Sequence, residues 1–118
     1  MKMADRDGVG VAELTNEDFR NPSLLEDAFQ NLMQSMGRRK LVVDMSNVES
    51  IMSLGVAVLV AAQGLALIND TKIAFAGMKN GVRKILALTG ADKAISIHDS
   101  VEQALRALRG SSRRHAVP

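Results

Sequence analysis

A long uncharged stretch, Ile51 to Asn69, limits the possible folds of this chain more than any other feature. Its apolar residues occupy nearly every helical position, whereas a helix packed on one sheet face should keep a polar stripe. Ser53, Gly55, Gln63 and Gly64 interrupt it, and it falls short of the ~20 predominantly apolar residues of a membrane span. We therefore predict a buried helix whose surplus apolar face is covered by neighbouring helices or by another chain.

Strand and helix patterns alternate along the rest of the sequence. Strands are predicted at Val9–Thr15, Leu41–Met45, Lys72–Ala76 and Ala94–Ile97. Helices are predicted to start at Asn21-Pro22, at Met52 or Ser53, after Asn80 and at Ser100. Asn21 and Asn80 are predicted to be the N-caps of the first and third of these helices. The order β-α-β-α-β-α-β-α predicts a single α/β domain, with about four helices packed on a mixed sheet of about four to five strands. We expect this domain at residues 8–109, between a flexible N-terminus (1–7) and a disordered basic tail (110–118).

Composition excludes several kinds of function. The chain has no Cys, which leaves no disulfide, thiolate metal site or cysteine nucleophile. It also has no Trp or Tyr, which argues against base stacking on single-stranded nucleic acid.

Charge gives no sign of a nucleic-acid surface. Fifteen basic minus thirteen acidic residues give +2, and Arg113 and Arg114 account for both excess charges. The one basic cluster, Arg38-Arg39-Lys40, is interpreted as a solvated turn. Residues 1–10 carry Asp5 and Asp7 where a signal peptide needs an apolar run, so the expected location is the cytoplasm.

Candidate catalytic groups lack partners. The sequence has no glycine-rich phosphate loop. Its two imidazoles, His98 and His115, are too far apart in sequence to predict a metal site or a triad. His98 is interpreted as a turn residue. Asp44 ends a central strand, as the phosphoacceptor of receiver domains does, but Glu13 is the only acid near the end of the first strand. Asp44 is therefore predicted to accept hydrogen bonds from the loop backbone. We expect no enzyme activity, cofactor or metal, and instead a binding or switch module.

Ser53 opens the apolar helix and has two interpretations. Serine is a preferred N-cap residue, so its role could be purely structural. The small residues Gly55 and Ala57 in the next turns would also let a partner backbone approach closely, and a hydroxyl in that place could serve as a switch.

The sequence around Ser53 resembles a STAS domain, the family of anti-sigma-factor antagonists and of domains attached to anion transporters. Residues 42–49, VVDMSNVE, are similar to the family's strand and turn, and residues 50–57, SIMSLGVA, fall on its phosphorylation loop with Ser53 on the phosphoacceptor serine. The strand at Lys72–Ala76, the helix that ends at Gly90 and the closing strand and helix resemble later elements of the family. The resemblance covers nearly all of residues 8–109.

The resemblance implies a function and a partner. The unphosphorylated chain would bind an anti-sigma factor with serine-kinase activity and release its sigma factor, and phosphorylation at Ser53 would end the complex. Asp44 and Ser46 would support the loop, and a homodimer is left open as a further assembly. The implied partner-binding residues are Met52, Ser53, Leu54, Gly55, Val56 and Ala57.

Three departures from the family pattern keep an alternative open. Met52 replaces the Asp that usually precedes the phosphoacceptor, Leu54 replaces the following Ser, and Ala57 replaces the second glycine. A more apolar loop favours a STAS adaptor that is not phosphorylated, such as a subunit of a lipid-transport ABC complex or of a signalling scaffold.

Overall fold

A five-stranded mixed sheet forms the centre of the protein. The computed structural model describes residues 1–36 and 39–116, with side chains up to Arg109. The strands are β1 Lys2–Arg6, β2 Val9–Thr15, β3 Lys40–Asn47, β4 Lys72–Ala76 and β5 Ile97–His98, and the helices are α1 Pro22–Met36, α2 Ser53–Ile68, α3 Asn80–Thr89 and α4 Val101–Ala116. Two 3₁₀ turns lie at Asn16–Arg20 and Ala91–Lys93. The predicted α/β class is confirmed.

The sheet has the strand order β1-β2-β3-β4-β5. Its first pair is antiparallel, and the other three pairs are parallel. Parallel neighbours need crossover helices, and α1, α2 and α3 provide these connections.

The N-terminal segment is a strand rather than the flexible end that the sequence analysis predicted. β1 pairs with β2 from Lys2 opposite Glu13 to Arg6 opposite Val9. Asp7 and Gly8 form the turn with φ of 56° and 84°, and an Asp-Gly pair suits such a hairpin turn. All residues of β1 are exposed at the sheet edge, so no alternation of apolar and polar residues revealed the strand.

Two core layers cover the sheet. On β3, Leu41 and Val43 face the larger core with α1, α2 and α3, whereas Val42 faces a smaller core with α4. Because both faces are covered, three consecutive residues of this strand are fully buried, as expected for a central parallel strand. The larger core therefore holds α2 against the sheet beside α1.

The ends of the helices follow local chemistry. The backbone N–H of Leu24 donates to Asn21 Oδ1 at 3.2 Å, so Asn21 caps α1 as predicted. Gly90 ends α3 in the left-handed conformation with φ of 78°. The predicted cap of α3 was wrong by one residue, because Asn80 is the first helical residue and Lys79 holds the N-cap position.

The C-terminal third differs from the sequence prediction in two places. The fourth predicted strand is shifted to β5, so His98 lies in a strand rather than in a turn. α4 extends to Ala116, whereas the sequence analysis ended the domain at residue 109. Residues 117–118 of the predicted disordered tail and Arg38 of the predicted basic turn lie outside the described residues.

Candidate functional site

The candidate site begins at the carboxyl end of β3. Asp44 Oδ1 accepts hydrogen bonds from the backbone N–H of Ser46 at 3.0 Å and from its hydroxyl at 2.7 Å. These bonds close a local turn and align the chain as it leaves the sheet. Asp44 and Ser46 thus form a hydrogen-bonded turn at the point where the chain leaves the sheet.

Gly77, directly after β4, packs against this turn. Its φ is 72°, and a Cβ atom there would lie 3.2 Å from the Cβ of Ser46 and 3.4 Å from Asp44 Oδ1. A side chain at position 77 would therefore be crowded as well as strained.

The loop between β3 and α2 is held at both of its edges. The backbone N–H of Glu49 donates to Asn16 Oδ1 at 2.8 Å, and the carboxylate of Glu49 forms an ion pair with Lys79. Val48 and Ile51 are buried in the larger core. The loop that precedes Ser53 is therefore anchored rather than open.

Ser53 is the first residue of α2 and not its N-cap, which corrects the structural interpretation of the sequence. Met52 holds the N-cap position with extended backbone angles and has no side-chain oxygen to cap the helix. Within the described part of the chain, the Ser53 hydroxyl has no hydrogen-bond partner, and the residue is exposed. Its hydroxyl is thus accessible to a reacting group.

The structure separates the six predicted partner-binding residues into two groups. Met52 and Leu54 are 83% and 68% exposed, and Ser53 and Ala57 are also exposed. The other two, Gly55 and Val56, are buried within the chain, so neither is part of the exposed surface.

Gly55 is buried because an aromatic side chain lies on it. A Cβ atom at position 55 would be 3.0 Å from Phe19 Cδ1 and 3.3 Å from the Cβ of Ile51. The close approach that the sequence analysis assigned to a partner is therefore made inside the chain, by the 3₁₀ turn Asn16–Arg20.

A cleft of about 480 Å³ opens between this 3₁₀ turn and the start of α2. Its lining is mainly apolar, with Phe19, Ile51, Met52 and Leu54 among the residues, and it also includes Ser53 and Arg20. We call it the Ser53 cleft. The sequence analysis missed the contribution of Phe19 and Arg20, although Thr15 and Asp18 have the spacing of a capping box that marks the turn.

The outward face of α2 carries an exposed apolar ridge. Leu67 and Ile68 are 83% and 81% exposed, and Val60 lies at the boundary of exposure. The predicted surplus apolar face of this helix is therefore present, and none of the helices that the structure describes covers it. The α2 ridge consists of Leu54, Ala57, Val60, Gly64, Leu67 and Ile68.

Other kinds of site find no support in the residues that the structure describes. Those residues contain no group of three or more His, Cys, Asp or Glu side chains that could hold a metal ion. The Nε2 atom of His98 lies 3.2 Å from the Ser96 hydroxyl oxygen. None of the helices in the described ranges is long and apolar enough to cross a bilayer.

The sheet order, the helical layer and the exposed serine at the start of α2 define a single-domain α/β module of the STAS type. The family model described as Mlab, STAS domain matches residues 13–109. The chain therefore belongs to the STAS domain family.

Solved structures agree with this assignment. The chain is 27% identical to an anti-sigma factor antagonist from Mycobacterium paratuberculosis, with a TM-score of 0.72 and 92% of each chain covered. It is 23% identical to the protein TM1081 of Thermotoga maritima, with a TM-score of 0.79 over 91% of this chain and 86% of that one. It shares the fold of the anti-sigma factor antagonist SpoIIAA in its unphosphorylated form, at 13% identity and a TM-score of 0.72 over 92% and 96% of the two chains.

Proposed function

We propose that this chain is an anti-sigma-factor antagonist whose binding is controlled by phosphorylation at Ser53. The observation that carries the proposal is the exposed Ser53, which lies between the exposed side chains of Met52 and Leu54 and whose hydroxyl has no hydrogen-bond partner among the described residues. In the unphosphorylated state these residues would bind an anti-sigma factor in the cytoplasm and displace its sigma factor.

The partner would also be the kinase. The γ-phosphoryl group of ATP would be transferred to Ser53 Oγ, the hydroxyl would lose its proton, and ADP would leave. In this reaction the chain is the substrate, and the partner supplies the catalytic groups.

The phosphate should weaken binding without unfolding the chain. It adds about −1.5 to −2 charges at pH 7. At the first turn of a helix such a charge is tolerated, because the N-terminal end of the helix dipole is positive. A partner that covers Met52 and Leu54 would have to strip water from the dianion, which is strongly unfavourable.

A second candidate function has support from the α2 ridge. Ser53 and Leu67 lie about 21 Å apart along the helix axis, at about 1.5 Å per residue. A partner that binds the far end of the ridge would not be repelled by a phosphate on Ser53. The exposure of Leu67 and Ile68 therefore favours a constitutive adaptor, such as a subunit of a lipid-transport ABC complex or of a signalling scaffold.

Affinity capture with matched variants distinguishes the two functions. Wild type, Ser53→Asp, Ser53→Ala and Leu67→Gln serve as baits in native lysate, and mass spectrometry identifies the bound proteins. The switch predicts that an anti-sigma factor with a kinase domain is lost from the Ser53→Asp bait and kept by Ser53→Ala.

The Leu67→Gln bait is the matched control for the ridge. A partner kept by both Ser53 variants and lost from Leu67→Gln would contradict the switch and support the adaptor. Far-UV circular dichroism of each bait confirms that the fold is intact, which we expect because both substituted residues are exposed.

A further inference from the structure

The 3₁₀ turn Asn16–Arg20 is fixed against the Ser53 loop at two points. Asn16 Oδ1 accepts the hydrogen bond from the backbone N–H of Glu49, and the ring of Phe19 lies against Gly55. One contact lies before Ser53 in the chain and the other after it. The position of Arg20, the last residue of the turn, is therefore set relative to the first turn of α2.

Among the described residues that line the Ser53 cleft, Arg20 is the single charged one. Its side chain is 77% exposed, and its Nη1 atom forms an ion pair with Glu17 Oε1 at 3.2 Å. The Glu17 side chain is 72% exposed as well. Solvent screens such an exposed pair, so Arg20 can readily exchange it for a stronger anion.

We infer that Arg20 binds the phosphate of phosphorylated Ser53 and gives up its pairing with Glu17 to do so. This inference rests on the proposed phosphorylation of Ser53. A guanidinium group can donate two parallel hydrogen bonds to a phosphate, and a dianion attracts it more strongly than a single carboxylate. Ser53 and Arg20 line the same cleft, and the lining of that cleft is mainly apolar.

Through the contact between Arg20 and the phosphate, phosphorylation has a structural effect in addition to the repulsion of the partner. A bridge between the phosphate and Arg20 spans the cleft and covers part of its apolar lining. It also ties the 3₁₀ turn to the first turn of α2 more firmly than the Phe19 contact alone. The partner then loses access to the cleft, and the phosphate is partly neutralised within the chain.

Phosphorus NMR of the isolated chain tests the inference directly. Phosphoserine is incorporated at position 53 during translation, and the ³¹P shift is titrated to obtain the second pKa of the phosphate. A nearby cation favours the dianion and lowers that pKa. We expect Arg20→Gln to raise the pKa relative to wild type by about half a unit or more.

Two further variants complete the design. Lys84→Gln is the matched control, because it removes one exposed positive charge from α3, and Lys84 does not line the cleft. It should leave the phosphate pKa at the wild-type value. Glu17→Gln removes the competing carboxylate, so it should lower the pKa below that of wild type.

The inference is overturned if Arg20→Gln titrates like wild type, or if Lys84→Gln raises the pKa as much as Arg20→Gln does. The titration contains no partner, so its result is independent of the capture experiment. If Arg20→Gln raises the phosphate pKa but the partner binds Ser53→Asp as well as wild type, the proposed function is wrong and this inference stands. If the partner is lost from Ser53→Asp but Arg20→Gln leaves the phosphate pKa unchanged, this inference is wrong and the proposed function stands.

Discussion

The contact between Gly55 and Phe19 makes a sharp prediction for Gly55→Ala. The added Cβ atom would lie 3.0 Å from Phe19 Cδ1, a distance that requires one of the two groups to move. Phe19 is half-buried on a short 3₁₀ turn, whereas Gly55 lies in a helix held by the core. We therefore expect Phe19 to move and the Ser53 cleft to change shape.

Two opposing effects determine the change in stability. Replacing Gly by Ala inside a helix stabilises it by up to ~1 kcal/mol. Crowding a packed contact typically costs about 1–3 kcal/mol. The free energy of unfolding of Gly55→Ala should therefore fall by roughly 0–3 kcal/mol.

The control is Gly64→Ala in the same helix. A Cβ atom at position 64 would have nothing within 4 Å, so only the helical preference acts there. Gly64→Ala should therefore stabilise the protein by about 0.5–1 kcal/mol.

A double-mutant cycle isolates the contact. A Phe19→Ala background removes the closest contact and leaves the 3.3 Å approach to the Cβ of Ile51, so Gly55→Ala should be less destabilising there than in the wild type. The coupling between the two positions should then be about 1 kcal/mol or more. Urea unfolding followed by far-UV circular dichroism measures it, since the chain has no Trp or Tyr for intrinsic fluorescence.

Fluorine NMR reports the movement itself. The chain has three phenylalanines, Phe19, Phe29 and Phe75, so a fluorophenylalanine-labelled sample gives three signals. Gly55→Ala should shift that of Phe19 and leave the two fully buried rings nearly unchanged. The reasoning is refuted if Gly55→Ala stabilises the protein equally with and without Phe19, or if the Phe19 signal does not move.

Two further predictions concern the turn at the end of β3. Gly77→Ala should lower the free energy of unfolding by about 1–2 kcal/mol or more, because Gly77 has a positive φ and Ser46 would crowd the added side chain. The control is Gly90→Ala, which should cost less because Gly90 has a similar φ but open space around it. Equal costs for the two substitutions would contradict the crowding argument. Asp44→Ala should cost about 1–3 kcal/mol, because the N–H and hydroxyl of Ser46 lose their acceptor. Asp44→Asn keeps a carbonyl oxygen there and should cost less in the same urea assay; equal losses would show that the hydrogen bonds contribute little.

Local sequence patterns determined most of the elements of this protein. The four-residue spacing of Leu25, Phe29 and Met33 predicts the buried stripe of α1, and Gly90 marks the end of α3. The uncharged stretch predicts α2 and its surplus apolar face. These features could be predicted from the sequence because each depends on residues within a few positions of one another.

The tertiary structure determined the features that no local sequence pattern could predict. β1 is an exposed edge strand whose backbone, rather than its side chains, holds it to β2, so no apolar periodicity marks it. The sequence alone predicts that a partner can approach Gly55, but Phe19, more than thirty positions earlier in the chain, covers this residue. Arg20 shares a cleft with Ser53 only because the sheet and α1 bring the 3₁₀ turn back to the start of α2. Contacts between distant residues depend on chain topology, and for that reason the sequence identified Ser53 but not its surroundings.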